Sequence, residues 1–380
     1  MRYAARKALC LLLTAAMVAV FLPESSLAAS KPFEKTKPCG AMATAVGSEI
    51  AVSWEKLKGA QGYYVYESIS GSKYARVATT KSLKVVRPVK TKGVTCRYVV
   101  RGYKIKSVKQ TRVVNGKKQV TMVKKTALSK LSRTAYTTTP AAGKSTLKNY
   151  LRGAIMPLGH TMYIWGGGWN KADTGSGKTT RRTGLYKTWR TYAKKQSRWY
   201  NYMLHRYKIN KGLDCSGFVG WTVYNVMQTR NNRPGYVYLA DVEGQRYARM
   251  GLGAWTRRTR VKDHIPGDIM EGDDHIWISL GQCKDGSTVV LHASPPGGKL
   301  SGTASRTGAR NSQAARLAAK YMKKYYPSWY SRYPSTTLVF AKSYNQDYNR
   351  FRWYSTVLSD PEGYRNMSAD QVLADLFKEM

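Results

Sequence analysis

The chain runs to 380 residues and carries 64 lysines and arginines against 21 acidic residues, a formal net charge of +43. That length allows two or three domains, and a charge of that size calls for an anionic partner or surface. After residue 29 no apolar run reaches the length of a membrane-spanning helix.

Residues 1–29 read as an export signal, with a lone N-terminal anchor as the alternative. Arg2, Arg6 and Lys7 make a basic start, Ala8 to Leu22 is apolar and uncharged, and Ser26-Leu27-Ala28-Ala29 offers small residues for cleavage. Cys10 lies inside the apolar run, which argues against a lipobox. Removal of this segment leaves +41. An exported protein meets cell-wall polymers and membranes first, so anionic wall polymers are the expected partners and nucleic acid is not. Cys39, Cys96, Cys215 and Cys283 remain. An oxidising setting permits disulfides, and Cys39 with Cys96 is the one pair to consider. A lone cysteine outside the cytoplasm is a candidate nucleophile.

Residues 30–140 read as all-β. "EIAVSWEKL" (49–57), "GYYVYESI" (62–69), "YARVATT" (74–80) and "TCRYVVRGYKI" (95–105) are strand-like, and Asn115-Gly116 is a strong hairpin signal. Short strands at this spacing point to a β-sandwich. With Trp54 on an early strand and Tyr98-x-Val100 on a late one, the segment resembles a fibronectin type III domain. It holds 24 basic residues against four acids and no cluster of catalytic residue types. A spacer or wall-binding module is expected.

"TTTPAAGKST" (137–146) reads as a linker into a unit spanning 141–380. Helices are expected over 145–159, 213–227, 311–326 and 367–377, the last with Ser368 and Gln371 in a capping box. "DHIWISLG" (274–281) and "STVVLHAS" (287–294) read as strands. "SPPGGKLSGTASRTGAR" (294–310) reads as a mobile loop, and 336–344 with 351–353 as further strands. This mixture implies an α+β unit.

"ADTGSGKT" (172–179) has the spacing of a phosphate loop. Such a loop needs a buried strand before it and a helix after it. "YIWGGGWNK" precedes it and "TRRTGLYK" follows, with no apolar periodicity. Neither a nucleotide nor any other cofactor is expected.

Asp214-Cys215-Ser216-Gly217 opens an apolar helix. The positive end of a helix dipole favours thiolate there, and Gly217 is expected to admit a substrate backbone. The chain has five histidines, and His275 and His292 fall on neighbouring predicted strands. A hairpin between these strands would join the two imidazoles. A cysteine nucleophile needs a base, and the base needs an orienting partner. Cys215, His275 and His292 suit those roles.

At this point the sequence resembles the NlpC/P60 cell-wall peptidases, which have a papain-like α+β core. "YIWGGG" (163–168), "LDCSGFVGWTVY" (213–224), "IPGDIM" (265–270), "DHIWISLG" and "VVLHAS" occur in the family's order. The resemblance implies Cys215 as nucleophile, His275 as acid and base, and His292 as its orienter. Tyr163 is placed near the oxyanion, with the Cys215 N–H as a donor. Asp214 and Ser216 flank the nucleophile as substrate contacts, with helix capping by Asp214 an equal alternative. The implied activity is hydrolysis of the γ-D-glutamyl bond to the diamino acid of peptidoglycan stem peptides, with no metal required. The cysteine spacings do not resemble a zinc site.

The departure from the family lies in residues 169–211, a long insertion before the cysteine helix. It holds twelve basic residues, one acid and eight tryptophans or tyrosines. It is expected at the mouth of the cleft, either as a lid engaging anionic glycan or as a packed surface elaboration. A wall amidase or acyltransferase on the same core, and a non-catalytic wall-binding protein, are the competing expectations.

Overall fold

The computed structural model describes residues 32–378 apart from 47–48, 89, 92–93, 116, 140–144, 228–234, 335–337 and 340–341. The expected export signal and the centre of the 137–146 linker lie outside the described residues.

Eight strands form the N-terminal β-sandwich: β1 Met42–Val46, β2 Glu49–Ser53, β3 Gly62–Ile69, β4 Ala75–Thr80, β5 Lys84–Pro88, β6 Thr95–Val114, β7 Lys117–Leu128 and β8 Ala135–Thr138. One sheet runs β1-β2-β5 and the other β4-β3-β6-β7, with β8 also beside β6. Alternate residues of each strand point inward, so Ile50, Val52, Val65, Tyr98 and Val100 share a core with Trp54. Trp54 meets the Tyr63 ring edge-on at 5.4 Å. The buried Tyr98 hydroxyl donates to Glu67 Oε1 at 2.7 Å. The predicted hairpin is present, with Asn115 at φ 50° in its turn. Sequence reading missed β1 and β5, and β6 runs further than expected. Cys39 and Cys96 do not pair: Cys39 lies on the surface and Cys96 in the core.

The second unit is built on a mixed nine-stranded sheet. Apart from a separate short pair, β9 Ser145–Thr146 with β19 Leu358–Ser359, its strands are β10 Met162–Tyr163, β11 Gly212–Leu213, β12 Gly253–Thr256, β13 Ile269–Glu271, β14 Ile276–Gln282, β15 Thr288–Ser294, β16 Gly297–Thr303, β17 Leu338–Val339 and β18 Asn349–Trp353. The order is β11-β10-β16-β15-β14-β13-β18-β12, with β17 on β16. Helices Leu147–Ile155, Cys215–Met227, Gln313–Tyr325 and Ala369–Leu376 surround one core with the sheet. The last starts at the expected capping box of Ser368 and Gln371. No helix among the described residues is long and apolar enough to cross a membrane.

Residues 294–310 correct the sequence reading. Their first half is β16, buried between β15 and β10. Its glycines looked like loop residues, but a Cβ at Gly302 would collide with the Ala315 backbone nitrogen. Close approach of a helix to the strand requires glycine there.

The insertion is a brace between the two units. Its helix Lys187–Lys194 buries Trp189 against Trp221 of the cysteine helix, ring centroids 5.7 Å apart. Arg190 donates to the Trp54 carbonyl of the sandwich, and Lys84 of the sandwich donates to the Thr183 carbonyl. The linker side adds Thr137, whose hydroxyl bonds Asn149 Oδ1 at 3.0 Å and accepts the Ala45 N–H at 2.9 Å. The packed alternative for the insertion therefore holds for its middle. "ADTGSGKT" precedes this helix as a run of turns, tied by a bridge between Trp169 and Ser176 and by the Val237 N–H to Ser176 Oγ bond of 2.9 Å.

Candidate active site

Three segments meet at Cys215: the Gly166–Gly168 turn after β10, the start of the cysteine helix, and the β14–β15 hairpin. Asp214 caps the helix. Its carboxylate accepts the Gly217 N–H at 2.6 Å, the Ser216 hydroxyl at 3.2 Å and the Gly166 N–H at 3.1 Å. These bonds satisfy backbone donors that a helix start leaves open. Trp169 Nε1 donates to Ser216 Oγ at 3.2 Å. Asp214 and Ser216 are thus both spent on building the helix start, and both are buried. Gly217 serves the chain itself and not a substrate: a Cβ there would collide with the Gly167 carbonyl oxygen. Burial pushes the Asp214 carboxyl up to about 7, against its hydrogen bonds.

Cys215 is the first residue of the helix and is buried. Burial raises its thiol well above the usual range, and the nearby Asp214 charge adds to this. Backbone hydrogen bonds from Ile276 and Ser216 pull the other way and lose. The dipole argument therefore fails for the resting site, because desolvation outweighs it. The Ile276 contact sets the sulfur against the strand start that carries His275.

The two histidines are joined as expected. His275 Nε2 lies 2.9 Å from His292 Nδ1. His292 Nε2 in turn lies 2.9 Å from Ser301 Oγ. Two proton assignments satisfy both bonds, in opposite directions. In the one that suits a base at His275, its Nε2–H donates to His292 and His292 Nε2–H donates to Ser301. That leaves His275 Nδ1 as the basic ring nitrogen. Burial, with the Lys299 charge second, holds His275 down to about 3. Burial, Lys299 and His275 hold His292 well below its usual range. Both rings are neutral at rest.

Tyr163 adjoins the site. Burial raises its phenol, and the Cys215 and Asp214 charges come next among the causes, so it stays a proton donor. The insertion touches it twice. Tyr200 donates its hydroxyl to the Tyr163 carbonyl at 2.7 Å, and the Tyr202 ring meets the Tyr163 ring edge-on at 5.3 Å. One end of the insertion thus reaches the cleft. Beyond it, Trp199, Leu204 and Tyr207 are exposed, and the Arg206 guanidinium sits over the Trp165 and Tyr207 rings at 5.3 and 5.5 Å.

Sequence reading missed Ser301, Lys299 and Tyr344. Strand alternation puts His292, Lys299 and Ser301 on one face of the β15–β16 pair, with His292 opposite Lys299. The Tyr344 ring stands 5.8 Å from His275 and 6.5 Å from His292. A histidine late on one strand implied polar company on the next, but the glycines of β16 hid that strand. Among the described residues no group of three His, Cys, Asp or Glu side chains is placed to hold a metal ion.

Two measurements probe this environment. Ser301→Ala strips His292 Nε2 of its hydroxyl partner, and a buried group left unsatisfied costs about 1–3 kcal/mol. Thermal unfolding should show that loss, and turnover should fall with it as the ring loses its orientation. Lys299, pulled by burial down to about 7, donates to the Pro295 carbonyl at 2.5 Å. Its charge depresses His275, so Lys299→Met should let the His275 pKa rise. The acid limb of the rate profile, set by protonation of that base, should move to higher pH by up to about one unit.

No family model matches the chain, and no curated protein matches it. Solved structures resemble part of it. An Fn3-like protein from Clostridium thermocellum is 23% identical with a TM-score of 0.16, covering 26% of this chain and 93% of that one. A human FNIII domain is 13% identical with a TM-score of 0.21, covering 31% and 88%. A β-1,2-glucanase from Parabacteroides distasonis is 18% identical with a TM-score of 0.20, covering 31% of this chain but 15% of its own.

Proposed function

We propose that the chain is an exported cysteine peptidase of NlpC/P60 type, with a papain-like core, that hydrolyses stem-peptide bonds of peptidoglycan. The observation that carries this reading is the run of hydrogen bonds from His275 through His292 to Ser301, beside a cysteine at a helix start. His275 Nδ1 takes the thiol proton as the sulfur adds to the scissile carbonyl. The proton moves only as the bond forms, because thiol and imidazole rest neutral. The Cys215 N–H, in a helix turn without intrahelical acceptors, and the Tyr163 hydroxyl serve the oxyanion. The His275 imidazolium then protonates the leaving amine, and water hydrolyses the thioester with His275 as base.

The export signal puts the enzyme at the cell wall, and the fibronectin type III-like sandwich acts as its basic spacer or wall-binding module. The exposed aromatic and cationic rim of the insertion lies beside Tyr163, which supports a groove wall that meets the glycan. Digestion of purified peptidoglycan, read by mass spectrometry, tests the proposal. Products cut between D-glutamate and the diamino acid support it. Release of whole stem peptides would make the enzyme an amidase, a new acyl linkage would make it an acyltransferase, and sedimentation with the wall without any product would make it a binding protein.

A further inference from the structure

A second candidate site lies between the two units, and none of its lining residues belongs to the Cys215 cluster. It is a cavity of about 960 Å³ where the sandwich, the insertion and the turn between helices Gln313–Tyr325 and Pro327–Arg332 converge. Lys37, Arg133, Arg190, Lys194, Lys324 and Arg332 line it, and Glu55 is its one carboxylate. Glu55 is shared: its oxygen lies 3.7 Å from His160 Nε2, and its charge also acts on Arg190 and Lys194.

Two buried donors in the lining lack an acceptor among the described residues. Arg190 is 7% exposed and spends one nitrogen on the Trp54 carbonyl, while its Nε has no partner. Trp329, 2% exposed, has an unpartnered Nε1. A buried guanidinium is costly unless paired; Lys194 repels Arg190, while Glu55 favours its charge. The surplus of cations around an open cavity calls for an anion with several acceptor oxygens. Guanidinium forks match phosphate geometry.

We infer that this cavity is a binding site for phosphate groups, free or carried on a polymer. The site joins the sandwich to the catalytic unit, so an occupant clamps the two together. The inference does not rest on the peptidase reading.

Thermal unfolding of the full mature chain tests it, with inorganic phosphate or a glycerol phosphate trimer titrated at constant ionic strength held with sodium chloride. A ligand that binds only the folded state stabilises it by RT ln(1 + [L]/Kd), so Tm climbs with the logarithm of ligand concentration above Kd. A rise of about 2–4 °C is expected at ligand on the order of 100-fold above Kd. It should vanish in the double variant Lys194→Gln, Lys324→Gln and persist in Lys262→Gln, Lys284→Gln, which removes two surface charges away from the cavity. A tighter response to the trimer identifies the polymer as source, and equal responses identify the free ion. No shift beyond that of sodium chloride alone, or equal loss in both double variants, overturns the site in favour of diffuse charge.

Discussion

Cys215→Ala is expected to lower stem-peptide cleavage by on the order of 10⁴-fold or more, since no other group on the cleft replaces a sulfur nucleophile. The variant should fold. It trims one small buried side chain, while the cap formed by Asp214 and the Gly217 contact stay in place. Wall binding should therefore survive in a sedimentation assay. The raised thiol pKa adds a second readout. With Cys39→Ser removing the exposed thiol, alkylation by iodoacetamide near neutral pH should be slow, since the thiolate is the attacking form. Fast alkylation of Cys215 at rest would mean that the site holds an ion pair and that the concerted proton transfer is wrong. Cleavage that persists in Cys215→Ala would remove the nucleophile itself.

What sequence made legible was local. Alternation around Trp54 and Tyr98 marked the sandwich, Asn115-Gly116 its hairpin, and Asp214-Cys215-Ser216-Gly217 a helix start. The pairing of His275 with His292 followed from two strands at hairpin spacing. What stayed hidden depends on distant parts of the chain. The β16 strand looked like a loop because its glycines answer to a helix packed across it. Ser301 joins the site only through sheet order, and Tyr344 only because the short helical turn Lys342–Asn345 packs beside it. The insertion's charge pointed to a ligand, while Trp189 and Arg190 serve packing against Trp221 and the sandwich. The helix dipole at Cys215 was read correctly in sign but set against too little, because burial was not visible in the sequence.

His275→Ala should cost about 10²–10⁴ in kcat, the usual worth of a positioned base. His292 acts through His275 and should be separable from it. In His292→Ala the His275 Nε2–H loses its acceptor, so the ring can turn and present the wrong nitrogen to the thiol. A loss approaching that of His275→Ala is expected, with KM little changed, since neither ring is assigned to substrate binding. His292→Gln offers a carbonyl acceptor in the same region and should recover part of the rate. A structural role would behave differently: both His292 variants would lose stability, and the rate lost would follow the unfolded fraction. The double variant His275→Ala, His292→Ala decides between the two. Its kcat should match that of His275→Ala alone, because an orienting partner has nothing left to orient once the base is gone. Additive losses would place His292 in a role of its own and break the relay from His275 to Ser301.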